Sequence, residues 1–365
     1  MIKMQSRRDD PSIPDWSRDR LDSPFPPEIE KPYFDNLLEA WVLSRHADIL
    51  AACRNSSLVP VGHISKRASE LSGDSDRLKM RAETQDALSP ERLRKWREQL
   101  TPEVQAMVVS LPIEEPVDLM DSYARPLCLS LAAMVTGISR VEAEGLQQSA
   151  SRVSKAAAEP YDPALRISAK AANEELRACF HAGPEALRDS GFVALSQTMP
   201  CIFGNAWFAL MQQPQQWSLL HQHPDLMEQA IEELLRYAGL TRILRREATS
   251  DLSLNGALIR KGERVILRII AANRDPERFS HPNQVDVKRR DAGHLSLGAG
   301  SHACVAASLI RMAAIAITGP LVQRFASVTS ARAVDWGGGS VFRAPKSLWV
   351  CLIESDGERR IGDSG

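Results

Sequence analysis

The chain has 365 residues, 44% of them hydrophobic and only 5% aromatic, with a formal net charge of −1 at pH 7. That length holds one large domain or two ordinary ones, and the balanced charge gives no ground for a nucleic-acid or membrane-surface partner. Six scattered cysteines (Cys53, Cys128, Cys179, Cys201, Cys304, Cys351) form no C-x-x-C pair, no apolar run reaches bilayer length, and the first twenty residues lack the apolar centre of a secretory signal, so a cytoplasmic, thiol-reduced protein is expected.

In chain order, residues 1–32 are polar and proline-rich and read as an irregular lead-in. A short strand at Trp41–Leu43 and a short helix through Ile49 to Cys53 follow. Pro60 to Asp76 is polar and punctuated by Gly and Ser, a loop or broken helix. Arg77 to Gln99 is basic and helical, restarted at Ser89-Pro90, since proline favours a first helical position. Leu119 to Thr136 carries apolar residues at helical spacing up to Gly137, and Val141–Ala158 and Pro163–Cys179 are two further helices.

Gly191 to Gln212 is apolar on all sides and therefore predicts a helix buried in the centre of the molecule. Pro200 within it cannot bond the carbonyl of Ser196, so a bend is expected beside Gln197 and Thr198. The bend is either a functional break next to a hydroxyl or a packed kink. Asp225 to Tyr237 is amphipathic and holds Glu233 and Arg236, a spacing that on a helix surface makes an ordinary ion pair. Asn255-Gly256 marks a hairpin inside the alternating stretch Arg246–Ile270, and VDWGGGSVFRAPKSLWVCLI reads as a second hairpin with a glycine-rich tip. There is no βαβ alternation, no internal repeat and no linker.

Between these hairpins runs HLSLGAGSHACVA, from His294 to Ala306. Gly298 and Gly300 permit a tight loop that can approach a flat ligand. The apolar run after Cys304 predicts a helix ending at Gly319-Pro320. At the head of that helix, unpaired N–H groups and the dipole would favour a thiolate, which suits an iron ligand. A buried free cysteine beside a glycine turn is the plain alternative.

Taken together these stretches resemble the cytochrome P450 family of haem-thiolate monooxygenases in its bacterial soluble form, over Trp41 to Ile353. The family loop F-x-x-G-x-G-x-H-x-C-x-G keeps Gly298, Gly300, His302 and Cys304 here, with a leucine at the aromatic position and Ala306 at the last glycine. Glu233 and Arg236 match its E-x-x-R, Arg289 its partner arginine, and ANRDPERFSHP the stretch between. The resemblance implies a mainly α fold with small β sheets, one haem-binding domain over 1–365 including the lead-in, haem b as cofactor and Cys304 as iron ligand. His302 and Arg246 would bind the haem propionates. Arg81 matches the arginine of the family's H-x-x-x-R, with Arg77 in place of the histidine. Arg92, Arg94, Lys95 and Arg97 would extend a face for an electron donor.

The departures from the family are specific. Gln197 and Thr198 fall on the pair that relays protons to dioxygen, but Gln197 cannot ionise, and Ala194 replaces a glycine three residues earlier. Gly137 to Thr198 is short, so the helices roofing the substrate pocket, or the one beneath them, are trimmed. Ala194, Thr198 and Phe342 would line that pocket. The implied activity is oxidation of a small organic molecule, of secondary-metabolite or terpenoid type, by a monomer using dioxygen and a separate ferredoxin or flavin donor. Gln197 motivates the alternatives: a peroxide-driven or non-oxygenating haem enzyme, or a catalytically silent haem-binding protein.

Overall fold

The computed structural model describes residues 30–61, 74–180, 187–291 and 293–354, with side chains in 74–78 and at 80 also left undescribed. The lead-in up to residue 29 and most of the Pro60–Asp76 loop therefore lie outside the described residues, and Arg77 is described in its backbone alone.

Strands β1 (Tyr33–Asp35) and β2 (Ala40–Leu43) precede helix α1 (His46–Arg54) and β3 (Leu58–Pro60). Helices α2 (Asp74–Ala87) and α3 (Pro90–Ser110) break at the expected place, where Ser89 accepts from Arg92 N and Pro90 opens α3. After β4 (Pro116–Asp118), a π turn at Met120–Ala124 leads into α4 (Arg125–Thr136), which Gly137 ends in the left-handed region at φ 73°. Helix α5 (Arg140–Ala158) starts from a Ser139/Glu142 capping box, and α6 (Pro163–Cys179) from Asp162, whose carboxylate accepts from Ala164 N and Leu165 N. These two helices, of 19 and 17 residues, pack on one another. Nine positions separate Cys179 from α7 (Asp189–Val193).

The central helix is real but composite. Helix α7 passes into a π turn at Ala194–Thr198, where Met199 N bonds Ala194 O, and then into α8 (Met199–Met211), which is almost wholly buried. The bend expected at Pro200 thus takes the form of a π turn ending just before it. A wide turn takes up the register lost where proline brings no N–H. Helices α9 (Pro214–Gln222) and α10 (Met227–Ala238) follow, then β5 (Ile243–Ala248), the hairpin β6 (Leu252–Leu254) and β7 (Ala257–Ile259), β8 (Arg264–Arg268) and a single turn α11 (Ile269–Ala272). The hairpin turns at Asn255 (φ 44°) and Gly256 (φ 85°), two positive values that select this dipeptide.

Helix α12 (Ala307–Arg324) corrects one expectation, since it runs straight through Gly319-Pro320. Pro320 forfeits one bond, but Ile317, Leu321 and Val322 are fully buried, and Tyr123 Oη and the Nδ1 of His221 reach the carbonyls of Ile317 and Val322 at 2.8 and 2.9 Å. Tertiary packing overrides the local stop signal. Strands β9 (Phe325–Ser330), β10 (Asp335–Gly338), β11 (Arg343–Ser347) and β12 (Trp349–Glu354) complete the described chain.

Sheet order is β1-β2-β8-β5-β3, with β2 and β8 parallel and the other pairs antiparallel; β4-β12-β9 and the hairpins β6-β7 and β10-β11 are separate. The largest core is helical, built from α3, α4, α8, α10 and α12, and a smaller one lies between α1 and the five-stranded sheet. The cysteine loop runs where these two cores meet: Leu295 and Ala299 pack on the sheet cluster, Leu297 and Cys304 on the helical one. Among the described residues, no single helix is long and apolar enough to cross a membrane.

Candidate functional site

The loop is held from three directions. Gly298 (φ 73°) and Gly300 (φ 67°) both adopt backbone that favours glycine, and a Cβ on Gly300 would lie 2.4 Å from the carbonyl oxygen of Cys53 at the end of α1. Cys304 N donates to Leu297 O at 2.7 Å and closes the loop on itself. From α2, Arg81 Nη1 donates to Ser301 O (3.3 Å) and Ala303 O (3.0 Å), so this arginine is spent on the loop's carbonyls. His302 sits in a single 3₁₀ turn at Gly300–His302.

Cys304 is half-buried, three residues before α12. Burial pushes its thiol up, against the Ala306 N–H and the charges of Arg311 and Arg81 that pull it down. The helix terminus therefore acts in the expected direction but is outweighed, and the protein alone keeps Cys304 protonated. A coordinated metal would ionise it.

Behind the loop, the carboxylate of Glu233 on α10 accepts from Arg236 Nε at 2.7 Å and Nη2 at 2.8 Å, from Arg289 Nε at 2.9 Å and from Asp286 N at 2.9 Å. Side-chain exposures of 0% for Glu233, 1% for Arg236 and 9% for Arg289 remove the surface-pair alternative. Arg236 also donates to the carbonyls of Asn273, Pro282 and Gln284 at 2.7–3.0 Å. The network thereby stitches α10 to the irregular stretch leading into the cysteine loop.

Several positioning residues have no signature in spacing. Asn273 accepts from Leu295 N and donates to Ser296 Oγ, both at 2.7 Å, and Ser296 Oγ donates to Leu235 O at 2.5 Å, fixing the loop's entry to α10. On the opposite face of α10, Glu232 receives Arg311 of α12 at 2.6 and 2.9 Å and lies 3.3 Å from the Nε2 of His294. Burial pushes the Glu232 carboxyl up, but His294 and Arg311 more than offset this and bring it down to about 2. Only the stretch ANRDPERFSHP hinted at Asn273; Glu232, Arg311 and Cys53 carried no signal.

Gln197 and Thr198 line a half-open cavity of about 270 Å³, together with Phe342 of the β10–β11 hairpin and one face of α5. Ala194 opens the π turn, is exposed and lies outside this lining. Ser196 Oγ donates to Phe192 O at 2.7 Å, and Cys201 Sγ to Gln197 O at 3.3 Å, so side chains knit the bent segment where the regular ladder is broken. Arg92, Arg94, Lys95 and Arg97 are exposed on α3, and Arg94 pairs with Glu98.

A cysteine on a glycine-cramped loop at the head of a buried helix, backed by a buried Glu–Arg–Arg network, is the arrangement that the resemblance to haem-thiolate proteins implies. The comparisons agree. The cytochrome P450 family model matches residues 211–334. Cytochrome P450 CYP107DY1 of Priestia megaterium is 42% identical over 129 residues, 35% of this chain and 32% of that protein. Linalool 8-monooxygenase of Pseudomonas putida is 28% identical over 262 residues, 62% of this chain and 63% of that one. In structure, the versatile cytochrome P450 enzyme CYP109B1 of Bacillus subtilis superposes with a TM-score of 0.78 over 88% of this chain and 95% of its own, at 21% identity. The sequence match to the first of these relatives spans about a third of its length, while the fold match extends over most of the described chain. Residues 211–334 thus match the cytochrome P450 family model, and the fold of the described chain is that of cytochrome P450 structures.

Haem is the group that the family implies, and the residues present fit it. Arg246 on β5 is 4% exposed, its Nε lacks a hydrogen-bond partner, and its Nη1 donates to the carbonyl of Arg245. Burial lowers its pKa and only Cys53 opposes this. A buried guanidinium so poorly matched calls for an anion, which a haem propionate supplies. Among the described residues no three His, Cys, Asp or Glu side chains come together, so a haem iron held here would take Cys304 as a single protein ligand.

Proposed function

We propose that this chain, as one domain over 1–365, binds haem b through Cys304 and oxidises a small organic molecule of secondary-metabolite or terpenoid type. It would act as a cytoplasmic monomer with dioxygen and electrons from a separate ferredoxin or flavin donor. The observation that carries the reading is the pairing of a loop-held cysteine with the anion-deficient Arg246. Bound there, the haem supplies redox chemistry tuned by its thiolate ligand. Arg246 and His302 hold the propionates, and Arg81 stiffens the loop that carries the sulfur. The four exposed cations of α3 offer a face to an acidic donor. Similarity to a linalool 8-monooxygenase supports the terpenoid type.

At the cavity, the Thr198 hydroxyl donates and accepts, whereas the Gln197 amide orients water without exchanging a proton. Pro200 leaves the Ser196 carbonyl without its helical partner, and a buried carbonyl finds water or another donor. A second reading, a peroxide-driven or non-oxygenating haem enzyme, is favoured by one feature: among the described residues the cavity lining includes no Asp or Glu.

The test is spectroscopic first. The reduced carbon monoxide complex shows the red-shifted Soret band of thiolate ligation, and Cys304→Ala abolishes it; a surviving band overturns the ligand assignment. Turnover with dioxygen and a donor, set against turnover with peroxide, then separates the readings. Failure of both leaves a catalytically silent haem protein.

A further inference from the structure

The charge pattern of the Thr198 cavity points to the substrate class. Among the described residues its charged lining side chains are Arg125, Lys155, Arg343 and Lys346, all cations. Two of these cations are paired outside the lining: Asp121, bonded to Arg125, and Asp335, 3.2 Å from Lys346, have side chains 70% and 65% exposed. Glu159 follows α5 and packs at Gly339, also outside the lining.

The face that α5 turns to the cavity is polar by design of its spacing. Gln147, Ser151 and Ser154 follow at i, i+4 and i+7, with Lys155 and Ala158 closing the last turn. A roof for a purely apolar substrate would carry Leu, Val or Phe at these positions. Across the cavity, Arg125 Nη2 donates to Lys346 O at 2.5 Å, and Asn205 Nδ2 to Arg343 O at 2.9 Å, so α4 and α8 hold the β11 strand. The charge of Arg125 also acts on Cys201, one turn beyond Thr198. Burial pushes that thiol up to about 11, and Arg125 is what pulls against it.

We propose that the cavity takes a small organic acid, its carboxylate held by Lys155 and the neighbouring cations and hydroxyls, with the remainder of the molecule directed at Thr198. This assignment rests on the oxidase reading above and narrows its substrate. Lys155 in the last turn also offsets the negative end of the α5 dipole, so its role in binding has to be separated from a purely local one.

The experiment titrates octanoate and 1-octanol, equal in chain length, into the purified holoprotein, followed by calorimetry and by the Soret shift. Octanoate is expected to bind about tenfold more tightly, an advantage that shrinks at about 0.5 M salt as screening grows. Lys155→Gln lowers octanoate affinity about fivefold and Lys155→Glu further, with 1-octanol unaffected in both. Equal binding of acid and alcohol, or octanoate binding indifferent to both variants, overturns the proposal. Calorimetry reads binding whether or not turnover occurs. A preserved octanoate preference without any turnover would therefore sink the oxidase reading and keep the anion site, and neutral selectivity with active turnover would do the reverse.

Discussion

Replacing Glu233 by alanine is the most severe single change the network behind the loop offers. The carboxylate accepts four hydrogen bonds, three from guanidinium groups, at full burial. Its loss leaves Arg236 with carbonyl acceptors only and Arg289, 9% exposed, without its ion pair. Neither arginine can escape by deprotonating. Each charge-assisted bond contributes about 1.5–3 kcal/mol, but the bonds share one carboxylate and do not add, so the loss is about 3–5 kcal/mol. Against the roughly 5–15 kcal/mol that holds a domain folded, this is a large share. Arg289→Ala removes one bond and costs less, about 1.5–3 kcal/mol. Equilibrium urea unfolding followed by far-UV circular dichroism, with haem content as a second readout, gives both values. A Glu233→Ala variant within about 1 kcal/mol of the parent, the range of an exposed pair, would refute the reasoning. So would Arg289→Ala proving the more damaging of the two.

Gly300→Ala places a Cβ against the Cys53 carbonyl in a left-handed backbone, and is expected to cost about 1–3 kcal/mol and to lower haem retention; unaltered stability and haem content would mean the α1–loop contact yields freely. Glu232 has a folded value of about 2 against an ordinary 4.5, so its contribution is complete above pH 4.5 and is lost as pH falls from there toward 2. Glu232→Gln should cost on the order of 2–3 kcal/mol at neutral pH and flatten the acid limb of the stability profile, and a parallel limb would contradict this. Thr198→Ala should divert severalfold more electrons to peroxide while leaving substrate binding nearly intact, and Gln197→Glu should speed dioxygen turnover about tenfold where proton delivery limits. Unchanged coupling and rate in both variants would move the peroxide or non-oxygenating reading ahead.

The order of elements, the hairpin at Asn255-Gly256, the break at Ser89-Pro90 and the stop at Gly137 were legible because each rests on local backbone preference. So was the cysteine loop, since glycines at two positive-φ positions leave a mark in the chain itself. The same local logic failed at Gly319-Pro320, where packing of Ile317, Leu321 and Val322 carries the helix through the stop.

What the sequence by itself determined was the helical class, the glycine-cysteine loop and the pairing of Glu233 with Arg236, because these depend on residues close along the chain or on a pattern with strict spacing. Only the tertiary structure decided that Asp286 joins that pair, that Asn273 and Glu232 brace the loop, and that four cations meet around Thr198. Those contacts join elements far apart in the chain, and burial, which sets the strength of a charge and the state of the Cys304 thiol, exists only once the elements have packed.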